Sequence, residues 1–555
     1  MPVININRND FCRLIGHEIP MKTIEERIPM LGVGWEGTEG EEFSIEVFPN
    51  RPDMLSVEGL ARAFSSFMNI ERGLREYKAE PAEEFLIVVQ PKVMNVRPFI
   101  VSCVVKNVDL SDDLIRSVIQ MQEKLHVTHC RKRKKAAIGI YDLEKISFPL
   151  TYTTEKRTFK YVPLEEKQEM SLQEILEKLP KGKDYAWILE GMNEYPILLD
   201  SRGKTLSFIP ILNADENKID NKTKNLFIEV TGTDEKTVTE VLNIIISTFG
   251  DRGAKMHKVK IKYPDTGIIY TPNTSPKMMS LEPKYVNKIL GLNLRNYEII
   301  EYLQRMGHDA VEINKENIEV TIPIYRTDIM HAMDIVEDVA IAFGYENFEA
   351  VIPNISTIGE ENPLEVFASR LRSLMVGHEL QEVFTFILTN KKNLFNKMNV
   401  KETEIAETAN PKTEEYNVVR NWLLPSLIEI LERNQHHEYP QNIFEVGDVV
   451  ILNPYTDTGT ETKKRLALAM CHSKTNFAEI KSIVESMMKN LGINNYKIEE
   501  AEHKSFVAGR CAKIGIDSIE LGVFGEINPV VLENWKLEMP VSTAEIDIDL
   551  LQKLI

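Results

Sequence analysis

The chain has 555 residues, more than one ordinary hydrophobic core spans, so at roughly 150 residues per domain it divides into about three or four. Apolar residues make up 43% and charged residues 27%, which excludes a disordered or fibrous protein. Against 84 Asp and Glu there are 66 Lys and Arg, a net charge of −18 with the wrong sign for coating nucleic acid, so any such contact is local or made through a partner.

Residues 1–84 open with a helical pattern at Phe11, Leu14 and Ile15, pass a Gly-rich stretch (Gly32, Gly34, Gly37, Gly40), and reach a strand at Phe43–Phe48. Pro49 and Pro52 then pin a rigid turn around Asn50 and Arg51, and Ser56 is placed to cap a helix carrying Leu60, Ala61 and Phe64 on one face. The polar stretch Lys78–Glu84 reads as a linker. From 85 to 262 strands at Phe85–Val89, Phe99–Val105, Ala136–Tyr141 and Phe227–Val230 surround a helix opened by Ser111, and a helix over Lys236–Phe249 completes an α+β domain. A basic stretch, Arg252 to Lys262, leads to a compact unit over 268–350. Two short helices separated by Gly291, strands at Ala310–Ile313 and Ile318–Ile324, and a helix over Ile329–Phe343 make it compatible with a winged helix. Residues 356–555 begin with an amphipathic helix (Leu364, Phe367, Leu371, Leu374). Strands follow at Gln381–Leu388, Asn442–Leu452, Arg465–Cys471, Ala512–Ile516, Ile519–Phe524 and Ser542–Asp547, which predicts an antiparallel sheet flanked by helices.

Several chemistries lack their signatures. There is no P-loop, no G-x-G-x-x-G after a strand and no H-E-x-x-H. Cys12, Cys103, Cys130, Cys471 and Cys511 lie far apart without a C-x-x-C pair, which fits buried thiols in a reducing compartment. The N-terminus shows no signal-peptide pattern, and Val241–Phe249, among the most apolar windows, is broken by Asn243 and Ser247, so a cytoplasmic protein with no membrane span is expected. His126, His129 and Cys130 lack a fourth metal ligand and precede Arg131–Lys135, five consecutive cations that disfavour a metal ion. That run is either a solvated loop or a contact for a phosphate backbone.

Three constellations stand out. The first is the turn Pro49–Asp53 with its helix. The second is Tyr325-Arg326-Thr327-Asp328-Ile329, followed by Asp334, Glu337 and Asp338 on one helical face, where mutual repulsion calls for a magnesium ion, a basic partner or solvent. The third joins Leu206–Asn213 to Asn225–Asp234, where hydroxyl, amide and carboxylate groups beside apolar runs suit a pocket for a polar small molecule, with no Ser/His/Asp triad.

Taken in this order, these segments resemble the β subunit of phenylalanyl-tRNA synthetase in its shorter archaeal and eukaryotic form, over essentially the whole chain. The resemblance rests on P-N-R-P-D…S-x-E-G-L-A-R (Pro49–Arg62), L-S-x-x-P-x-x-N (Leu206–Asn213), V-T-G-T-D (Val230–Asp234) and Y-R-x-D-I…D-x-x-E-D (Tyr325–Asp338). In the last domain it rests on Val419–Pro425, Ile443–Asp448, Gly509–Ala512 and Gly522–Pro529. It implies four parts: an N-terminal α+β domain (1–84), an editing domain (85–262), a winged-helix-like module with the carboxylate cluster (268–350), and a class II synthetase-like antiparallel sheet domain (356–555) lacking catalytic motifs. It also implies an α2β2 assembly with a catalytic α subunit, charging tRNA(Phe) with phenylalanine by way of ATP and magnesium. The R-N pair Arg420-Asn421 in the last domain lacks the glutamate of the class II adenylation motif, so no adenylation is expected on this chain.

Editing has its own physical reason. A pocket chosen for phenylalanine discriminates poorly against the same ring with a hydroxyl, by about a hundredfold, so a second hydrolytic site for tyrosyl-tRNA is expected. By resemblance its residues are Leu198, Ser207, Asn213, Glu229 and Thr231, with Glu229 where the family pattern has aspartate. The resemblance likewise maps Asp328, Asp334, Glu337 and Asp338 onto a magnesium set, with Asp338 where glutamate is common. The same spacing fits an interface salt-bridge cluster, and two rival functions remain, a non-enzymatic scaffold and a free-standing hydrolase of mischarged tRNA.

Overall fold

Local signals set most elements. In the computed structural model, which describes residues 2–554, Asn7 caps the helix Arg8–Ile15, and the Ser56 hydroxyl accepts from Gly59 N–H to start the helix Val57–Phe67. Ser111 and Asp234 cap Asp112–Val127 and Glu235–Asp251 in the same way. Gly291, at φ 68°, ends the helix Pro283–Leu290 in a left-handed conformation that costs glycine nothing.

The chain divides into two compact units, 1–351 and 352–555. In the first, Val3–Asn7, Glu42–Glu46 and Gly34–Glu39 form a small antiparallel sheet. Phe43 of this sheet, Phe11 of Arg8–Ile15 and Phe64 of Val57–Phe67 share one apolar core with Val238, Val241 and Ile245 of Glu235–Asp251. Each such side chain contributes about 1.5–3 kcal/mol by leaving water. The centre of the unit is an eleven-stranded sheet. Its order runs from Leu212–Asn213 through Thr205–Phe208, Glu194–Leu199, Leu150–Lys156, Leu86–Val89, Lys255–Tyr263, Phe99–Lys106 and Leu226–Gly232 to Ala136–Asp142, with Ala79–Glu80 and Gly267–Thr271 added beside Lys255–Tyr263. Residues 277–343 form a three-stranded sheet, Lys277–Leu281, Asn317–Ile322 and Asp309–Asn314, covered by three helices.

The second unit is a seven-stranded sheet, antiparallel except where Gln381–Glu382 runs parallel to Ile443–Phe444. Along Thr460–Cys471, Leu466, Leu468 and Met470 enter one apolar core, while Ala467, Ala469 and Cys471 enter another, so both faces are covered. Among the described residues no helix is long and apolar enough to cross a membrane.

Two expectations need correction, and one segment carries more structure than its composition shows. The basic stretch after residue 252 is part of the long sheet. Lys255–Tyr263 is a central strand whose Met256, Val259, Ile261 and Tyr263 are buried, a pattern the intervening lysines obscured. The Lys78–Glu84 segment is not free, since Ala79 and Glu80 pair with Met256 and His257. The strand expected over Gln381–Leu388 survives only at its ends, Gln381–Glu382 and Leu388–Thr389, with Phe384 and Phe386 exposed between them.

Candidate functional site

The long sheet curls until its two ends face each other, and a cavity of about 450 Å³ lies between them. One end contributes Glu229 and Ile138, the other Ser207 and Asn213, and the helix Asp112–Val127 adds His126. The closure is direct: the Tyr141 hydroxyl lies 3.1 Å from Glu229 Oε1, to which it donates, and 3.4 Å from Asn213 Oδ1, an alternative acceptor. Glu229 stands opposite Gly139 in the ladder. A Cβ on Gly139 would overlap the Tyr141 hydroxyl and lie 2.5 Å from Glu229 Oε1, so only glycine leaves room for the pair.

Glu229 is 2% exposed, and its Oε2 has no hydrogen-bond partner among the described residues. Burial pushes its carboxyl up to about 7, against the opposing pull of the Tyr141 hydroxyl and Arg97. Burial also raises the Tyr141 phenol, reinforced by Glu229, so the phenol keeps its proton to donate. His126 is neutral, because burial and then Arg133 and Lys181 hold it well below the usual histidine range. Its Nε2 accepts from Ile138 N–H at 2.9 Å, which places the proton on Nδ1. Arg133 donates to the carbonyls of Pro210 (3.2 Å) and Ile211 (2.9 Å) and to Glu123 Oε1 (3.1 Å), and lies over the Tyr185 ring. The result is a buried acid with one free oxygen, walled by fixed donors and apolar surface. It can receive a hydroxyl at the end of an aromatic ring, and it presents no activated nucleophile.

Of the five predicted pocket residues, Ser207, Asn213 and Glu229 line the cavity. Leu198 and Thr231 do not. Leu198 is fully buried in a core with Ile87, Tyr152 and Phe227, and it pairs with Ser207 across the ladder. Thr231 is held by Arg97, whose Nε donates to Thr231 Oγ1 at 3.3 Å and whose Nη2 donates to its carbonyl at 2.8 Å. Both therefore position the wall. Tyr141, His126 and Arg133 were not singled out as pocket residues. Tyr141 sits in an apolar strand, and Arg133 sits in a run of like charges, so neither carries a local signal of burial.

The carboxylates are used differently from expectation. Asp338 is buried and accepts from His308 Nε2 at 2.6 Å and from Arg326 Nη2 at 3.1 Å. Arg326 also forks onto Asp328, at 2.9 and 2.7 Å. Burial alone would raise Asp328, but Arg326 overrides it and holds the carboxyl at about 2. Asp334 Oδ2 accepts from the N–H groups of Met330 and His331, both at 2.7 Å, and so caps its own helix. Glu337 stays at the rim, raised by partial burial and by Asp338, Asp334 and Asp328. Among the described residues no group of three or more His, Cys, Asp or Glu side chains could hold a metal ion. A resident magnesium on all four carboxylates does not fit, because the guanidinium of Arg326 already neutralises two of them. Arg51, of the proline-pinned turn, forks onto Asp53 in the same manner, at 2.9 and 2.8 Å.

Three stretches of the chain match family models. Residues 107–245, which contain most of the cavity, match the B3/4 domain; residues 279–345 match the tRNA synthetase B5 domain; and residues 348–548 match the phenylalanyl tRNA synthetase beta chain CLM domain. The phenylalanine–tRNA ligase beta subunit of Archaeoglobus fulgidus is 43% identical over 99% of this chain and 98% of its own length. The chain belongs to the phenylalanine–tRNA ligase beta subunit family. Its counterpart from Pyrococcus abyssi is 40% identical over 98% of this chain and 99% of its own. A solved N-terminal fragment of the phenylalanyl-tRNA synthetase beta subunit from Pyrococcus horikoshii superposes with a TM-score of 0.60 at 36% identity, covering 62% of this chain and all of the fragment.

As a member of a ligase family, this beta-subunit chain has a distinctive use for Arg420 in its second unit. The guanidinium is 1% exposed and donates to Glu445 Oε1 (2.8 Å), the Asp448 carbonyl (2.9 Å) and Thr385 Oγ1 (2.5 Å). The carboxylate missing next to Arg420 in sequence is supplied in space by Glu445. All three guanidinium nitrogens are engaged and the side chain is buried, which leaves it no access to a phosphate.

Proposed function

We propose that this chain is the editing and scaffolding subunit of a phenylalanine–tRNA ligase. On this reading it assembles with an α subunit that activates phenylalanine with ATP and magnesium, as α2β2 in the cytoplasm, and it hydrolyses tyrosyl-tRNA(Phe) in the cavity around Glu229. The observation that carries the reading is the buried Glu229 carboxylate, with one oxygen bonded to Tyr141 and the other unpartnered against the cavity.

The tyrosine ring enters between the apolar walls, and its hydroxyl donates to Glu229 Oε2. Phenylalanine in the same place leaves that oxygen desolvated and unpaired. A site built for a hydroxyl rejects the analogue lacking it by roughly 10⁴-fold, whereas a purely apolar pocket separates the two by about a hundredfold. Recognition therefore runs opposite to that of a phenylalanine-selective pocket. Glu165 on the cavity wall supplies a carboxylate for the substrate's α-ammonium, whereas Glu123 is already paired with Arg133 and Lys181. A water held in the cavity attacks the ester carbonyl, since no side chain there is an activated nucleophile, and positioning supplies the rate gain.

The part played by the four-carboxylate set is an internal charge anchor, with Glu337 left to meet a cation on a partner surface. Two measurements test the whole reading. Purification of the chain from its own cells brings down a stoichiometric polypeptide with class II motifs, and the complex clears tyrosyl-tRNA(Phe). Glu229→Ala that still clears it at the native rate would rule out the assigned pocket.

A further inference from the structure

The run Arg131–Lys135 has a backbone seen nowhere else among the described residues. Arg131, Lys132 and Arg133 all lie in the left-handed region, at φ 51°, 52° and 63°. For residues with a Cβ this region is unfavourable, and such conformations persist only where the surroundings impose them. The surroundings here are specific. Arg97, 2% exposed, donates through Nη2 to the Arg133 carbonyl (3.1 Å) and through Nη1 to the Lys134 carbonyl (3.2 Å), while its other donors hold Thr231. Thr233 donates through its N–H to the Lys135 carbonyl (3.0 Å) and through its hydroxyl to the Lys134 carbonyl (3.1 Å).

With the carbonyls turned inward, the side chains divide. Arg133 is buried and lines the cavity of Glu229, whereas Arg131, Lys132 and Lys134 are exposed. The exposed three have no hydrogen bond or ion pair from their side chains among the described residues. Arg131 and Lys135 also line a second cleft of about 630 Å³ with Lys236, His129 and five carboxylates. Asp234 there is paired with Lys135 at 3.4 Å and Glu240 with His129 at 3.2 Å; Asp328 is held by Arg326 and Asp334 caps its helix, which leaves Glu337 as the free acid. A strained, caged loop thus presents three uncommitted cations that flank in sequence the cavity-lining Arg133, in a chain whose net charge is −18.

We propose that Arg131, Lys132 and Lys134 form a phosphate clamp for the single-stranded 3′ end of an aminoacylated tRNA, and that Arg97 and Arg133 lock the clamp to the cavity wall. This rests on the editing reading above. The clamp grips the phosphodiesters preceding the esterified nucleotide, so that the aminoacyl group reaches Glu229 while the backbone is held outside.

The test uses the assembled ligase with its α subunit, carrying Arg131→Gln, Lys132→Gln and Lys134→Gln together. Two esters are compared: tyrosyl-tRNA(Phe), and 3′-O-tyrosyladenosine, which has no phosphate. The KM for tyrosyl-tRNA is expected to rise about tenfold more than that for the adenosine ester. The slope of log kcat/KM against log salt should flatten by about 2, near 0.7 for each single-strand phosphate no longer gripped. Lys132→Glu alone should raise the tyrosyl-tRNA KM several-fold and respond to salt in the same sense. An unchanged KM and salt slope, or equal losses on both esters, overturns the clamp. A native complex that hydrolyses neither ester would instead overturn the editing reading.

Discussion

Buried glutamates occur in both units, and Glu445 and Glu545 are partnered in the opposite way to Glu229. In the second unit Glu445 receives Arg420 and the Thr385 hydroxyl, one on each oxygen, and Glu545 receives the N–H groups of Leu423 and Leu424 on Oε2 and Arg465 on Oε1. In the first, Glu229 receives only the Tyr141 hydroxyl and keeps Oε2 free against a cavity. A saturated acid between covered sheet faces is a fastener. An acid left half-satisfied beside a cavity has capacity for a ligand, and the energetic cost of leaving it so is the sign of a site rather than of packing.

The largest effect should come from breaking a fastener. Arg420→Ala strands Glu445 in a closed core and is expected to cost about 3–5 kcal/mol in denaturant unfolding of the full chain, while Arg420→Met with Glu445→Leu should recover much of it. A benign Arg420→Ala would erase the contrast. Next, Glu229→Leu should lower kcat/KM for tyrosyl-tRNA hydrolysis by about 10²–10³ and leave the fold standing, as followed by single-turnover deacylation and by thermal unfolding.

The pH dependence separates the two kinds of acid further. The folded pKa of Glu229 is raised to about 7, above its unfolded value, so the native state binds more protons between about 4.5 and 7. Stability from the neutral form is fully present below about 4.5 and is lost as pH rises through 7, on the order of 2–3 kcal/mol. Unfolding free energies of the native chain minus those of Glu229→Gln should show this fall. Because the ionised carboxylate is the better acceptor, native kcat/KM for tyrosyl-tRNA should climb about tenfold from pH 6 to pH 8, and the variant should lack that climb.

Gly139→Ala should cost roughly tenfold in the same assay by displacing the Tyr141–Glu229 pair, with a smaller change in folding. Smallest of all, Glu337→Gln should alter stability by less than about 0.5 kcal/mol, since it removes only like-charge repulsion at a rim position. A large loss there would mean that the carboxylates act as a metal cage after all.

Much of this is legible in the chain itself. Caps at Ser56 and Ser111, the apolar run Ala136–Tyr141 and the three constellations follow from local chemistry, and Ser207, Asn213 and Glu229 are readable from the family motifs. The lysines of Lys255–Tyr263 hide a central strand because their stems and charges lie on the outward side of a buried alternation. Tyr141 and Arg133 stay hidden for a related reason: an apolar strand and a basic run look ordinary until the fold brings the Tyr141 hydroxyl to Glu229 and buries Arg133 alone of its run.

The sequence by itself determined most element types, the family motifs and the absence of an adenylation signature beside Arg420, because these depend on residues close together in the chain. Tertiary structure alone decided which charges neutralise which. Asp328 and Asp338 meet Arg326 instead of gathering as a metal cage, Glu445 completes Arg420 from 25 positions away, and Tyr141 reaches Glu229 from 88 positions away. Long-range pairing depends on how a sheet curls and which faces it closes, and residue spacing along the chain does not contain that information.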